Sequence, residues 1–212
     1  MRVLLLVPML LSLTVHEFAH AWSAYKLGDD TAERMGRMTL NPLVHIDPIG
    51  TILLPLIGVP FGWAKPVPVD PTRFSRAVSM STGGIITAAA GPFSNLVMAM
   101  LSSLVFALMH RWMPETLYGA KGGVFILLRY LLLINVSLAL FNMLPLPPLD
   151  GSRVVDGLMP YSLRDSWERF AQVGPFLLLG ILVYGKLDGG ILQGPVAIIA
   201  SLFDRLVASL VR

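Results

Sequence analysis

Residues 3–27 read VLLLVPMLLSLTVHEFAHAWSAYKL. The stretch is long enough to cross a bilayer as a helix, which takes about 20 mostly apolar residues. Within it stands His16-Glu17-Phe18-Ala19-His20, an H-E-x-x-H pattern. On a helix, residues i and i+4 share one face. Two imidazoles so placed can reach one zinc ion, and the glutamate between them can act as general base on water activated there. A solvated surface helix would explain the same letters in a soluble protein. In an apolar helix an ionisable cluster is costly and functional by default, which favours a metal site. The opening apolar run also resembles a signal peptide. A signal peptide ends at a small-residue cleavage site, whereas this run passes straight into HEFAH, so the helix is expected to be retained.

Composition around that helix agrees. The chain has 212 residues, 55% apolar and only 14% charged, against roughly 25% charged in an average soluble domain. Mean hydropathy is +0.70. These values argue against a soluble enzyme and a disordered chain. The net charge is +3, but no basic run exists to follow a phosphate backbone, which argues against nucleic acid as a partner. Cysteine is absent, so a metal would have to sit on His, Asp or Glu. The expectation is an all-α polytopic membrane protein with about five to six transmembrane helices, residues 1–212 forming a single membrane-embedded domain. Further spans are expected at 84–109, 124–144, 173–184 and 191–210. Residues 49–60 are too short and proline-rich to span, and read as re-entrant or interfacial.

Residues 28–83 form the main irregular region, with Pro42, Pro48, Pro55, Pro60, Pro66, Pro68 and Pro71. That density forbids one long helix. Within it, 63–69 (WAKPVPV) reads as an extended, β-like edge segment, since Pro66 and Pro68 cannot donate to a ladder.

Catalytic zinc usually takes three protein ligands. His45, His110 and a few carboxylates near the spans are candidates for the third. Residues 142–151 read NMLPLPPLDG. Pro145, Pro147 and Pro148 must break the preceding helix, leaving Asp150 on an unwound turn at the membrane edge. Irregular backbone at that depth is tolerated only where it is buried or lines a wet cavity, which makes this carboxylate a natural third ligand. A solvated aspartate after a helix end is the other reading.

HEFAH in an early apolar helix, together with N-x-x-P-x-P-P-L-D-G closing a later one, resembles the site-2 protease family of intramembrane zinc metalloproteases, peptidase family M50. Residues 61–69 (FGWAKPVPV) and 90–95 (AGPFSN) are also similar to that family. The resemblance implies one zinc ion per chain, with His16, His20 and Asp150 as ligands and Glu17 as base. It implies Asn142 as a polar group aiding the substrate or oxyanion, and it puts Asn95 near the site. It implies a membrane-protein substrate with a single transmembrane segment, cleaved in or near that segment as in regulated intramembrane proteolysis. No PDZ-like domain lies between the motifs, as in compact members. The core is then 3–155, with C-terminal helices in 172–210.

Counting crossings puts the end of the first helix and Asp150 on one face, provided 49–60 does not cross. The last two spans are expected to cross and return, leaving Arg212 on that face too. Eleven of the sixteen basic residues then lie there, so the positive-inside rule makes the site face cytoplasmic, in a cell (inner) membrane. A divalent-cation transporter using the same His and Asp residues is a rival, but transporters commonly carry repeated halves and none is visible. A catalytically silent adaptor would not need Glu17 intact. Other polar residues invite plainer readings. His45 either orients the site or satisfies a turn, His110 sits at an interface, Asn95 makes an interhelical hydrogen bond, and Arg129 snorkels away from the site.

Overall fold

The computed structural model describes residues 2–57, 62–184 and 193–211. Expectations resting on 58–61, on 185–192 (including Lys186 and Ile191) and on Arg212 lie outside the described residues. The described chain is helical throughout, and no strand occurs among the described residues.

Helix α1 (Arg2–Lys26) carries HEFAH two turns before its C-terminus. Gly28, at φ 109°, ends it. The Gly28 amide donates to Tyr25 O and the Asp29 amide to Ala24 O, the paired bonds of a glycine-terminated helix. The chain then makes short helices α2 (Thr31–Arg34) and α3 (Leu54–Ile57), the latter continuing a wide π-type turn over Pro48–Leu53. Buried Asp29 fastens this region. It accepts from the amides of Thr31 (3.0 Å) and Asp70 (2.7 Å).

Residues 45–51 and 63–65 are joined by two hydrogen bonds. The Lys65 amide donates to His45 O at 2.9 Å, and Thr51 Oγ1 donates to Trp63 O at 2.7 Å. The described backbone before and after this stretch is therefore held together at its base. Residues 62–70 pair with no strand among the described residues. Their backbone is engaged inward instead. Arg37, 8% exposed, donates to Lys65 O and Pro66 O at 2.7 and 3.3 Å.

Helix α4 (Met80–Trp112) is capped by Ser79, whose hydroxyl accepts from Thr82 N, and α5 (Pro114–Asn142) follows. Both are long and apolar enough to cross a membrane, α5 over its Gly122–Asn142 part. Residues 143–149 turn sharply into α6 (Asp150–Leu158), followed by α7 (Arg164–Tyr184) and α8 (Gln193–Val211). Asp150 is thus the first residue of a helix rather than part of the unwound turn before it. Gly151 explains why: its Cα packs on the carbonyls of Met143 and Leu144, where any Cβ would collide with backbone.

The interior mixes apolar residues with many small polar ones. Ser12, Thr87, Asn95, Ser103 and Asn135 are buried, whereas Leu11, Phe93, Leu101, Val105, Phe176 and Leu202 face outward. That distribution suits hydrocarbon, where small and polar residues belong between helices.

The direction of α8 differs from expectation. Ala200 packs with Ala99, Leu132 and Val136, Ser103 Oγ donates to Asp204, and Ala107 and Ala208 line one cavity further along. The steps 99–103–107 on α4 match 200–204–208 on α8, so the two helices run parallel. Helix α8 therefore starts at the end bearing His20 and Asp150 and finishes at the opposite end, near His110. The expected return of the last span towards the site is therefore not what α8 shows, and Arg205 lies towards the end opposite the site. Arg129, expected to snorkel, is instead paired with Asp204 at 2.6 Å.

Candidate metal centre

Three helices build the site. Ser12, His16 and His20 lie at i, i+4 and i+8 on one face of α1. Thr87, Gly91 and Asn95 occupy the same spacing on α4, and the contacts pair them in antiparallel order. His16 Nδ1 meets Asn95 Oδ1 at 2.6 Å and His20 Nδ1 meets Thr87 O at 2.7 Å. Between them Gly91 faces both rings, and a Cβ there would overlap the two imidazoles. The motif at 90–95 thus has a physical basis: a glycine that lets the helices close, and an amide one turn on.

These contacts fix the protons. Leu131 O can only accept, so the Asn135 group bonded to it at 2.8 Å is Nδ2, which also reaches Ser12 Oγ at 2.8 Å. Ser12 Oγ in turn donates to Pro8 O. Asn135 Oδ1 therefore faces Asn95 Nδ2 at 2.8 Å, and Asn95 Oδ1 must face His16. A carboxamide oxygen and a backbone carbonyl only accept, so both imidazoles carry their proton on Nδ1.

The two Nε2 atoms then point lone pairs at each other across 3.0 Å. Asp150 Oδ2 completes the group, 3.1 Å from His16 Nε2 and 3.2 Å from His20 Nε2. That oxygen is buried without a hydrogen-bond partner. With both imidazoles neutral, these are three converging acceptors, which repel one another unless a cation lies among them. His16, His20 and Asp150 therefore fit a zinc-type donor set of two imidazoles and one carboxylate. Nδ1–H donation to a carbonyl or amide oxygen is the usual support for metal-binding histidines.

Glu17 is 8% exposed. Its Oε2 accepts from the Val67 amide at 2.9 Å. Pro66 and Pro68 have no N–H, so Val67 is the sole donor of that triplet and it is aimed at the carboxylate. Asn142 is not drawn into this group. Its Nδ2 donates to Leu138 O one turn back on α5, at 3.0 Å. The asparagine bonded to the site is Asn95, with Asn135 behind it. Both are fully buried, and an amide inside an apolar span was the signal for each. His45 lies outside this group, its Nε2 meeting Thr39 O at 2.9 Å. His110 lies at the far end against the Tyr118 hydroxyl at 3.0 Å.

A helix-borne H-E-x-x-H pair closed by a remote carboxylate defines the metal-site class of a metallopeptidase embedded in helices. The comparisons with known proteins agree. Residues 115–185 match Peptidase family M50. The chain is 41% identical over 179 residues to a Bacillus subtilis (strain 168) protein named "Putative zinc metalloprotease YwhC", covering 84% of this chain and 80% of that one. It is 31% identical over 149 residues to the Rip2 protein of Mycolicibacterium smegmatis, which carries the same description, covering 70% and 54%. The Rip2 protein of Mycobacterium tuberculosis (strain H37Rv) is 25% identical over 181 residues, covering 85% and 66%. No solved structure matches. The chain belongs to peptidase family M50.

Proposed function

We propose that this chain is a zinc metalloendopeptidase of the site-2 protease type, a single membrane-embedded domain that hydrolyses peptide bonds in or near the transmembrane segments of membrane-protein substrates. The convergence of His16 Nε2, His20 Nε2 and Asp150 Oδ2, with both Nδ1 protons already engaged, carries this reading. His16, His20 and Asp150 would hold zinc, and the bound ion would supply a Lewis acid beside Glu17.

The chain's own groups do the rest. Val67 N–H fixes one oxygen of Glu17, which leaves the other to take a proton from the attacking water and return it to the leaving nitrogen. Asn95 and Thr87 hold the imidazoles in one tautomer and orientation. Asn142, at the end of α5, is retained as a polar group for substrate once its bond to Leu138 O is exchanged. Strand addition of substrate along 65–69 has limited scope, because Lys65 N, Lys65 O, Pro66 O and Val67 N are all bonded internally.

Helices α1, α4, α5 and α8 are read as the crossing helices, with the site near the end that carries Lys26, Arg34, Arg73, Arg76 and Arg153. That end is cytoplasmic by the positive-inside rule, which gives a multi-pass protein of the cell (inner) membrane. Comparative membrane proteomics of wild type and Glu17→Gln tests the reaction. A single-span protein should accumulate uncleaved in the variant, and unchanged processing would refute it. Asp150→Ala should lose zinc while His45→Ala keeps it.

A further inference from the structure

Beside the metal centre lies an open groove of about 660 Å³. One wall is formed by Pro66 to Val69 and Pro71, the floor by Gly84, Thr87 and Ala88 of α4, and the far wall by Arg153 and Asp156 of α6 together with Arg164. The groove is continuous with the catalytic groups. Val67 holds Glu17, Thr87 O holds His20, and Asp150 opens the helix that carries Arg153. Its width is set by close packing: a Cβ at Gly157 of α6 would meet the Ile85 side chain and Ser81 O of α4.

Three observations indicate what it takes. The wall from Pro66 to Pro68 is apolar, and its single N–H is spent on Glu17. The Thr87 hydroxyl is buried without a partner, in a residue 3% exposed that lines the groove. The side chains of Arg153, Arg164 and Asp156 enter no ion pair among the described residues, so the lining carries two guanidiniums outside any ion pair and one carboxylate.

We propose that this groove binds the extramembrane segment of the substrate next to its scissile bond, in extended form, and selects acidic side chains there. The inference rests on the protease reading. It adds that specificity is set partly outside the bilayer, by Arg153 and Arg164.

The test uses the full chain in phosphatidylcholine nanodiscs and paired fluorescein-labelled ten-residue peptides, identical except for Glu or Lys at alternate positions, read by fluorescence anisotropy. The Glu peptide should bind about tenfold tighter than the Lys peptide. Glu17→Gln should bind it as well as wild type. Gly84→Phe should weaken binding by about tenfold while zinc content is unchanged, because a side chain at Gly84 meets nothing within 4 Å and projects into the groove. Arg153→Glu with Arg164→Glu should reverse the preference, and this pair decides alone if Gly84→Phe also loses zinc. Equal affinity for both peptides, or a preference that survives the charge reversal, would overturn the proposal. So would a charge reversal that weakens attachment to phosphatidylglycerol vesicles and leaves peptide selection intact, since the arginines would then serve the membrane surface. Peptide selection without any cleavage by wild type would instead refute the protease reading and leave the groove standing.

Discussion

Replacing Asn95 by alanine separates a zinc-supporting amide from a merely interhelical one. Asn95 is fully buried. Its Oδ1 takes the His16 Nδ1 proton at 2.6 Å, and its Nδ2 donates to Asn135 Oδ1 at 2.8 Å and to Ser12 O at 3.3 Å. Alanine leaves the His16 donor and the Asn135 acceptor without partners. A buried unsatisfied group costs about 1–3 kcal/mol, but hydrogen bonds between membrane helices average only about 0.6 kcal/mol because the unfolded chain also finds partners. The stability loss should therefore be modest, about 1–2 kcal/mol. The loss in metal affinity should be the larger effect. Removing the group that orients a ligand histidine typically costs about 10–100-fold, or about 1.4–2.8 kcal/mol. Competition against a chromophoric chelator in detergent measures affinity, and thermal unfolding measures stability. Asn95→Asp keeps an acceptor for His16 and should stay within about threefold of wild type for zinc. Asn135→Ala should lower stability with little change in affinity. If Asn95→Ala unfolds more easily yet binds zinc as tightly as wild type, the amide only joins helices and the tautomer argument fails.

Further outcomes follow from the same contacts. Gly91→Ala drives a methyl group against both imidazoles and should reduce zinc affinity by at least about tenfold with helicity retained; circular dichroism with metal titration checks both. Asp204→Leu leaves the Arg129 guanidinium without its 2.6 Å partner and should destabilise by about 1–3 kcal/mol. Adding Arg129→Leu should recover much of that loss in detergent melting curves. The Asp70 carboxyl is held below the usual carboxylate range by the Thr72 hydroxyl, with the Thr72 amide adding to it. Its contribution is therefore present above the unfolded carboxylate pKa and lost as pH falls through the lower folded one. Melting temperature should drop more steeply below about pH 4 in wild type than in Asp70→Asn.

Legibility varied with the distance over which each feature is decided. Helix α1 and its paired histidines follow from i, i+4 spacing and apolar composition, both local. Asp150 was nominated by a proline cluster that had to break a helix, although its position at the start of α6 depends on Gly151 meeting the Met143 and Leu144 carbonyls. Asn95 and Asn135 each stand within an apolar stretch of the sequence. Which of them, or Asn142, reaches the site depends on the rotation of α4 and α5 about their axes, and near-uniform apolar helices have no polar face from which to read it. The segment 63–69 was recognised as extended and proline-punctuated, but its bond to Glu17 lies 50 residues away in sequence.

The sequence alone determined a membrane-embedded helical chain and a His/His pair with a base between them, because helix periodicity and the cost of burying charge act within a few turns. Only the tertiary structure decided that Asn95 fixes the His16 proton, that α8 runs from the site outward, and that Val67 spends its lone N–H on Glu17. Each depends on which helix faces meet, and that is set by long-range packing of small residues and buried hydrogen bonds.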